Sequence, residues 1–146
     1  QQLLRAYGIE RPAGQLLALH QHNEAEAAVA VIGHLRHGLR VACVSDAGTP
    51  AVSDPGARLV AAVRDAGLPV VPLPGASSLT TLLSAAGMTQ EGGFVFAGFL
   101  PTKAAERGRA VSQLAAEDRA VVLLEAPHRI AALADSLAVL GGVARS

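Results

Sequence analysis

This chain predicts an α/β fold built on a parallel sheet, and three features carry that expectation. Short apolar runs alternate with helical stretches from residue 16 to residue 86. At least one run, Val41-Ala42-Cys43-Val44, is almost wholly apolar, the pattern of a strand covered on both faces. Glycine or proline punctuates the junctions. Strand, helix, strand, helix, strand, helix in that order implies parallel strands joined by right-handed crossovers.

The elements follow in chain order. Gln1 to Tyr7 reads as the last turns of a helix with Gly8 as its C-cap. No capping residue precedes it, and a further helix ends near Gly141-Gly142, so the chain is expected to be a fragment of a larger protein. Leu16 to His20 is the first expected strand. Asn23 is the expected N-cap of the next helix, with Glu26 three residues on, a capping-box variant. That helix is expected to reach His37 and stop at Gly38. Val41 to Val44 is the second strand, followed by a Gly-, Pro-, Ser- and Asp-rich loop over residues 45–56. Asp54-Pro55 is expected to supply N-cap and N1 of a helix bearing Leu59, Val60 and Val63 and ending at Gly67. Val70 to Leu73 is the third strand, and a helix over about Ser77 to Ala86 ends at Gly87. Phe94 to Ala97 reads as a strand, Thr102 to Glu117 as a charged helix and Arg119 to Leu124 as a strand. Pro127-His128-Arg129 opens a last helix with Ile130, Leu133 and Leu137 on one face. The loop from Thr89 to Gly93 is the best boundary. It divides a partial N-terminal α/β domain, 1–91, from a partial C-terminal α/β domain, 92–146.

Bulk composition removes several classes. Hydrophobic residues make up 51% and charged residues 16%, which excludes a solvating tail. The apolar runs are too short to span a bilayer. One cysteine excludes an internal disulfide framework and fits a reducing, cytoplasmic setting. Cys43, in an apolar strand, is expected to be a small core hydrophobe. Twelve Lys and Arg balance twelve Asp and Glu, so the chain lacks a basic nucleic-acid footprint; aromatics at 3% offer little for base stacking. No P-loop, nucleophile elbow or complete dinucleotide fingerprint is present.

In open parallel sheets ligands bind beyond the carboxyl ends of the strands. Three such ends carry informative loops. Ser45 to Gly56 is long for a connection and rich in small residues that let a ligand approach main chain. Pro74-Gly75-Ala76-Ser77-Ser78 is a tight turn into a helix. Glu125-Ala126-Pro127-His128-Arg129 sets a carboxylate at a strand end and two basic residues in the following turn. Glu125 as acceptor for its own turn and Glu125 as ligand contact both stay open, as do surface and phosphate-binding roles for Arg129. His20-Gln21-His22-Asn23-Glu24 reads as a polar lip. Its His-x-His pair lacks a third ligand nearby, so no metal site is expected. His34 and His37 suit a helix C-terminus.

Taken in order, Ser45 to Gly56, Val70 to Ser78, Gly98-Phe99-Leu100-Pro101 and Glu125 to Arg129 resemble the tetrapyrrole methylase superfamily, in its branch of ribosomal RNA cytidine-2′-O-methyltransferases. His20 to Glu24 resembles that branch's histidine-rich segment. The resemblance implies two α/β domains, S-adenosylmethionine as cofactor, the ribose 2′-hydroxyl of a cytidine in small-subunit ribosomal RNA as substrate, and a homodimer. It places cofactor contacts at Ala47, Gly48, Thr49, Val52, Ser77, Ser78 and Glu125. His128 and Arg129 are assigned to RNA phosphate. A hydroxyl nucleophile calls for a proton acceptor, and Asp46, Asp54 and His22 are the candidates. Ala47-Gly48-Thr49-Pro50 replaces the superfamily's usual Gly-Gly-Asp-Pro. The superfamily's first strand with its Gly-rich loop is absent, so the chain is expected to bind the cofactor weakly or not at all. Two other readings compete: a tetrapyrrole or precorrin C-methyltransferase, and a non-catalytic α/β assembly module.

Overall fold

The computed structural model describes residues 2–89 and 92–138. Gln1, residues 90 and 91 of the expected boundary loop, and the expected helix stop at Gly141-Gly142 lie outside the described residues. The chain divides into two compact units, Gln1–Ser77 and Ser78–Ser146.

In the first unit a short helix α1, Gln2–Ala6, is followed by a single 3-10 turn at Ala13–Gln15 and two longer helices: α2, Glu24–Arg36, and α3, Ala57–Asp65. Ala28 and Val31 of α2 pack against Leu59 and Val63 of α3, with Leu19, Ile32, Leu35, Ala62 and Leu68 closing around them. The small side chains on α2 let the two helices approach, and the buried stripe recurs at the three- and four-residue spacing of one helix face. α2 stops as its sequence dictates. Gly38 adopts φ +76°, its N–H reaches Leu35 O at 3.0 Å, and Leu39 N–H reaches His34 O at 3.1 Å. This pair of bonds satisfies the last carbonyls of the helix and needs a left-handed residue, which glycine supplies without strain.

The second unit holds α4, Ser78–Ala85, and then a strand–helix–strand unit: β1, Phe94–Phe99, α5, Ala104–Leu114, and β2, Ala120–Leu124. β1 and β2 pair in parallel, Phe94 opposite Ala120 and Phe99 opposite Leu124. The register slips between Phe96 and Gly98, where a buried Gly98 takes φ +65°. A last helix, α6, Ile130–Ala138, follows one 3-10 turn at Pro127–Arg129. Leu100, Val111 and Leu133 form this unit's core, with Leu114, Leu123 and Leu137 against them. Leu133 and Leu137 face inward as expected; Ile130 is exposed.

The α/β class holds, but the parallel pair is β1 with β2 in the second unit and not among the runs of residues 16–86, where the parallel sheet is expected. Leu16–His20, Val41–Val44 and Val70–Leu73 form no helix or strand and pair with no strand among the described residues. A central strand needs a ladder partner on each edge and an apolar cover on each face. Here Val44 is 67% exposed and Leu73 84%. Cys43 is accordingly exposed, not a core residue, and partial desolvation holds its thiol above the ordinary cysteine range. Asn23 occupies the N-cap position of α2 as expected and its carbonyl accepts the Ala27 N–H at 2.9 Å, but its side chain makes no capping bond to the helix. Asp54 and Pro55 stand outside α3, which begins at Ala57 with Gly56 in the capping position and no side-chain cap from its own segment. No helix among the described residues is long and apolar enough to cross a membrane.

Candidate functional site

The Ser45–Gly56 loop is held from both ends by polar contacts of its own and of α2. At its start Ser45 Oγ donates to Ala47 O at 3.1 Å, folding the chain back on itself. Val52 N–H then reaches Thr49 O at 3.3 Å and closes a turn. Gly48 adopts φ +67°, and nothing lies within 4 Å of where a Cβ would stand there. Asp46, Ala47, Gly48, Thr49 and Val52 are exposed. The loop therefore offers open main chain with no side chain over it at Gly48, the arrangement a ligand gripped by backbone groups requires.

Two non-glycine residues of the loop, Ala51 and Ser53, carry φ of 67° and 56°. Such conformations cost on the order of 1–3 kcal/mol each and persist only where surrounding structure fixes them. Gly56 follows at φ +124° and is buried. A Cβ there would meet Ala51 Cβ and Leu19 Cδ2, both at 3.7 Å.

The loop's exit is secured from α2. Glu24 lies one turn before Ala27 and Ala28 on the buried stripe and is only 8% exposed. A carboxylate so placed must be hydrogen-bonded. Its Oε2 accepts the N–H of Gly56 and the N–H of Arg58, each at 3.0 Å. These amides open α3, whose first N–H groups have no partner within the helix. The cap that Asp54 was expected to give thus comes from a helix thirty residues earlier. Sequence reading placed Glu24 only in a polar lip. The signal that identifies it is its place on an apolar stripe, at the three- and four-residue spacing from Ala27, Ala28 and Val31.

Next to it, Asn23 turns away from α2. Its Oδ1 accepts His20 N–H at 2.8 Å and its Nδ2 donates to Ala18 O at 2.9 Å. These two bonds fix the bend ahead of the helix in place of a side-chain cap. His20 and His22 are exposed, their ring centroids 6.2 Å apart, with Gln21 Nε2 3.1 Å from His22 Nε2. Among the described residues no three His, Cys, Asp or Glu side chains converge to hold a metal ion. His37 is spent locally, its Nδ1 lying 2.8 Å from Gly33 O. Ser77 is half-buried at the end of the first unit, and Ser78 is the first residue of α4.

In the second unit the turn after β2 gathers Glu125, His128 and Arg129. Glu125 Oε1 accepts Ala126 N–H at 2.8 Å and pairs with Arg129 Nη2 at 2.5 Å. The Ala126 N–H, and after it the Arg129 guanidinium, hold the Glu125 carboxyl below the usual carboxylate range. The Glu125 side chain is 2% exposed and that of Arg129 27%. Arg129 Nε is buried with no hydrogen-bond partner. His128 is exposed. Both roles left open for these residues are thus partly occupied: Glu125 does accept from its own turn, and Arg129 is tethered but not fully covered.

A concavity of about 260 Å³ is lined by Gly87, Met88, Thr89, Gly93 and Ala120, and one of about 680 Å³ by residues between Leu4 and Leu16. Neither of these two includes a candidate residue.

Comparison with known proteins follows these features along the whole chain. The family described as Tetrapyrrole (Corrin/Porphyrin) Methylases matches residues 1–144. A protein of Pseudomonas aeruginosa named Ribosomal RNA small subunit methyltransferase I is 44% identical over 145 residues, 99% of this chain and 50% of its own length. Proteins of the same name from Xylella fastidiosa and Haemophilus influenzae are 48% and 46% identical, over 99% and 95% of this chain. The chain spans about half the length of these curated relatives.

Proposed function

Since the chain belongs to the tetrapyrrole (corrin/porphyrin) methylase family, we propose that its Ser45–Gly56 loop binds S-adenosylmethionine. The whole protein then methylates the ribose 2′-hydroxyl of a cytidine in small-subunit ribosomal RNA. The observation that carries this reading is the loop: open main chain at Ala47, Gly48 and Thr49, space above Gly48, and strained residues held in place behind it. The substrate is supported by the printed name of the relatives, which cover nearly all of this chain.

The exposed main chain of Ala47, Gly48 and Thr49, with open space above Gly48, supports a cofactor contact at the loop. Ala47, Gly48, Thr49 and Val52 would hold it through main-chain groups, and Ser77, Ser78 and Glu125 are assigned to it by the family resemblance. When bound, the cofactor supplies the methyl group on a sulfonium, and the protein supplies position and electrostatics. The ribose hydroxyl is a weak nucleophile and loses its proton as the new carbon–oxygen bond forms, so an acceptor at the loop aids it. Asp46 and His22, both exposed, and the half-buried Asp54 are the candidates. His128 and the exposed quarter of Arg129 are assigned to RNA phosphate. The functional division at 91/92, homodimerisation and a cytoplasmic setting belong to the same proposal.

The test uses the complete gene product with undermethylated small ribosomal subunits. The expected result is one 2′-O-methylcytidine per subunit, dependent on S-adenosylmethionine. Failure to methylate the subunits, or transfer to a carbon of a tetrapyrrole, would overturn the reading.

A further inference from the structure

The geometry points to Glu24 as a positioning residue for the Ser45–Gly56 loop: from the first turn of α2 its carboxylate fixes the loop's exit, and so the main chain that meets the cofactor. The inference rests on the proposed cofactor role of that loop.

Three observations converge on Glu24. It is a charged side chain buried on an apolar helix face, where a small or apolar residue would pack without desolvation cost. Its single oxygen Oε2 gathers two backbone N–H groups, those of Gly56 and Arg58, that flank the first residue of α3. Carboxylate bonds to amides at a helix start are strengthened by charge and by the helix dipole. Just upstream of the gripped amides lie Ala51 and Ser53, in left-handed conformations that relax unless the chain on either side is fixed. Ser45 fixes the entry of the loop through its bond to Ala47 O; Glu24 fixes the exit. Asn23, adjacent in sequence, anchors the opposite side by tying Ala18 and His20. Leu19, in that tied segment, is also the neighbour of Gly56. Residues 18–24 thus form one fixed support under the end of the loop. Glu24 acts through that loop and touches no reacting atom.

The test compares the wild-type complete gene product with Glu24→Ala and Glu24→Gln. Glutamine keeps an oxygen that accepts the same two N–H groups; alanine keeps none. In Glu24→Ala, amide exchange at residues 51–58 should accelerate, and KM for S-adenosylmethionine should rise about tenfold, the scale of losing bonds to a charged group. KM for ribosomal subunits should stay within about twofold, because the support lies under the cofactor loop. Glu24→Gln should restore most of both effects. Unchanged exchange in Glu24→Ala overturns the inference. So does an equal rise in both KM values, which marks general destabilisation, and so does a glutamine variant as impaired as alanine. If the alanine variant fails to fold, the wild-type–glutamine comparison decides: near-wild-type exchange and cofactor KM support the geometric account, and a large rise in both overturns it. Wild-type protein that transfers no methyl group, with exchange still accelerated in Glu24→Ala, overturns the proposed function while the anchor stands.

Discussion

Leu59 lies in α3 against α2, 7% exposed; Leu73 lies in the third expected strand, 84% exposed. Leucine to alanine removes three carbons. At roughly 0.8 kcal/mol each, full burial makes Leu59→Ala cost about 2.4 kcal/mol in transfer alone. The neighbours Val31, Val63 and Ala28 sit on rigid helices and collapse only in part, so a cavity contribution raises the expected cost to about 3 kcal/mol. Leu73→Ala removes the same atoms from water-exposed surface and should cost less than about 0.5 kcal/mol. Equilibrium urea unfolding followed by circular dichroism reads both. With a slope near 2 kcal/mol per molar, Leu59→Ala should lower the midpoint by about 1.5 M and Leu73→Ala should barely move it. Equal shifts would refute the reasoning, because they would mean that Val70–Leu73 is covered as a central strand is.

The remaining predictions concern charge. Replacing Arg129 with alanine in the complete gene product should weaken RNA binding and make its salt dependence shallower by about one unit of slope; filter binding across a salt series checks this, and an unchanged slope removes Arg129 from the phosphate contacts. Glu117 is held down to about 2, first by the side-chain bond from Arg119 and then by the Arg119 backbone N–H. A carboxyl depressed on folding contributes stability that is complete above its unfolded value and is lost as pH falls through the folded one. The advantage of wild type over Glu117→Gln should therefore be present above about pH 4.5 and vanish toward pH 2, small throughout because the pair is exposed. A Glu117 titration midpoint near 4.5 by nuclear magnetic resonance would contradict it.

Helices were legible in this sequence because their signals are local. Gly38 and Gly67 mark the ends of α2 and α3 as expected, and Leu59 and Val63 fall on the buried face. β1 and β2 were legible too, since α5 joins them within one short stretch. Leu16–His20, Val41–Val44 and Val70–Leu73 were not, because a strand is defined by partners distant in sequence, and an apolar run specifies only that it favours one. The capping side chains misled for a related reason. Asn23 and Asp54 have the right chemistry for caps, yet the Asn23 side chain found backbone partners behind it and α3 took its cap from Glu24. Side chains compete for whichever amide the tertiary structure brings near. The Glu125–Arg129 pair was visible as a strand-end turn, but its internal pairing followed only from the 3-10 turn that brings the two together.

The exposed ribbons of the first unit differ in how far they invite association. Val70-Val71 and Leu73 are interleaved with Pro69, Pro72 and Pro74, which have no N–H to give to a neighbouring ladder. Val41 to Val44 contains no such interruption and is guarded only by Arg40 before it and Asp46 after it. When this chain is concentrated, unwanted intermolecular stacking should therefore nucleate at the cysteine-bearing ribbon and spare the proline-studded one. A single lysine at Val44 is the gentlest way to keep the material dispersed.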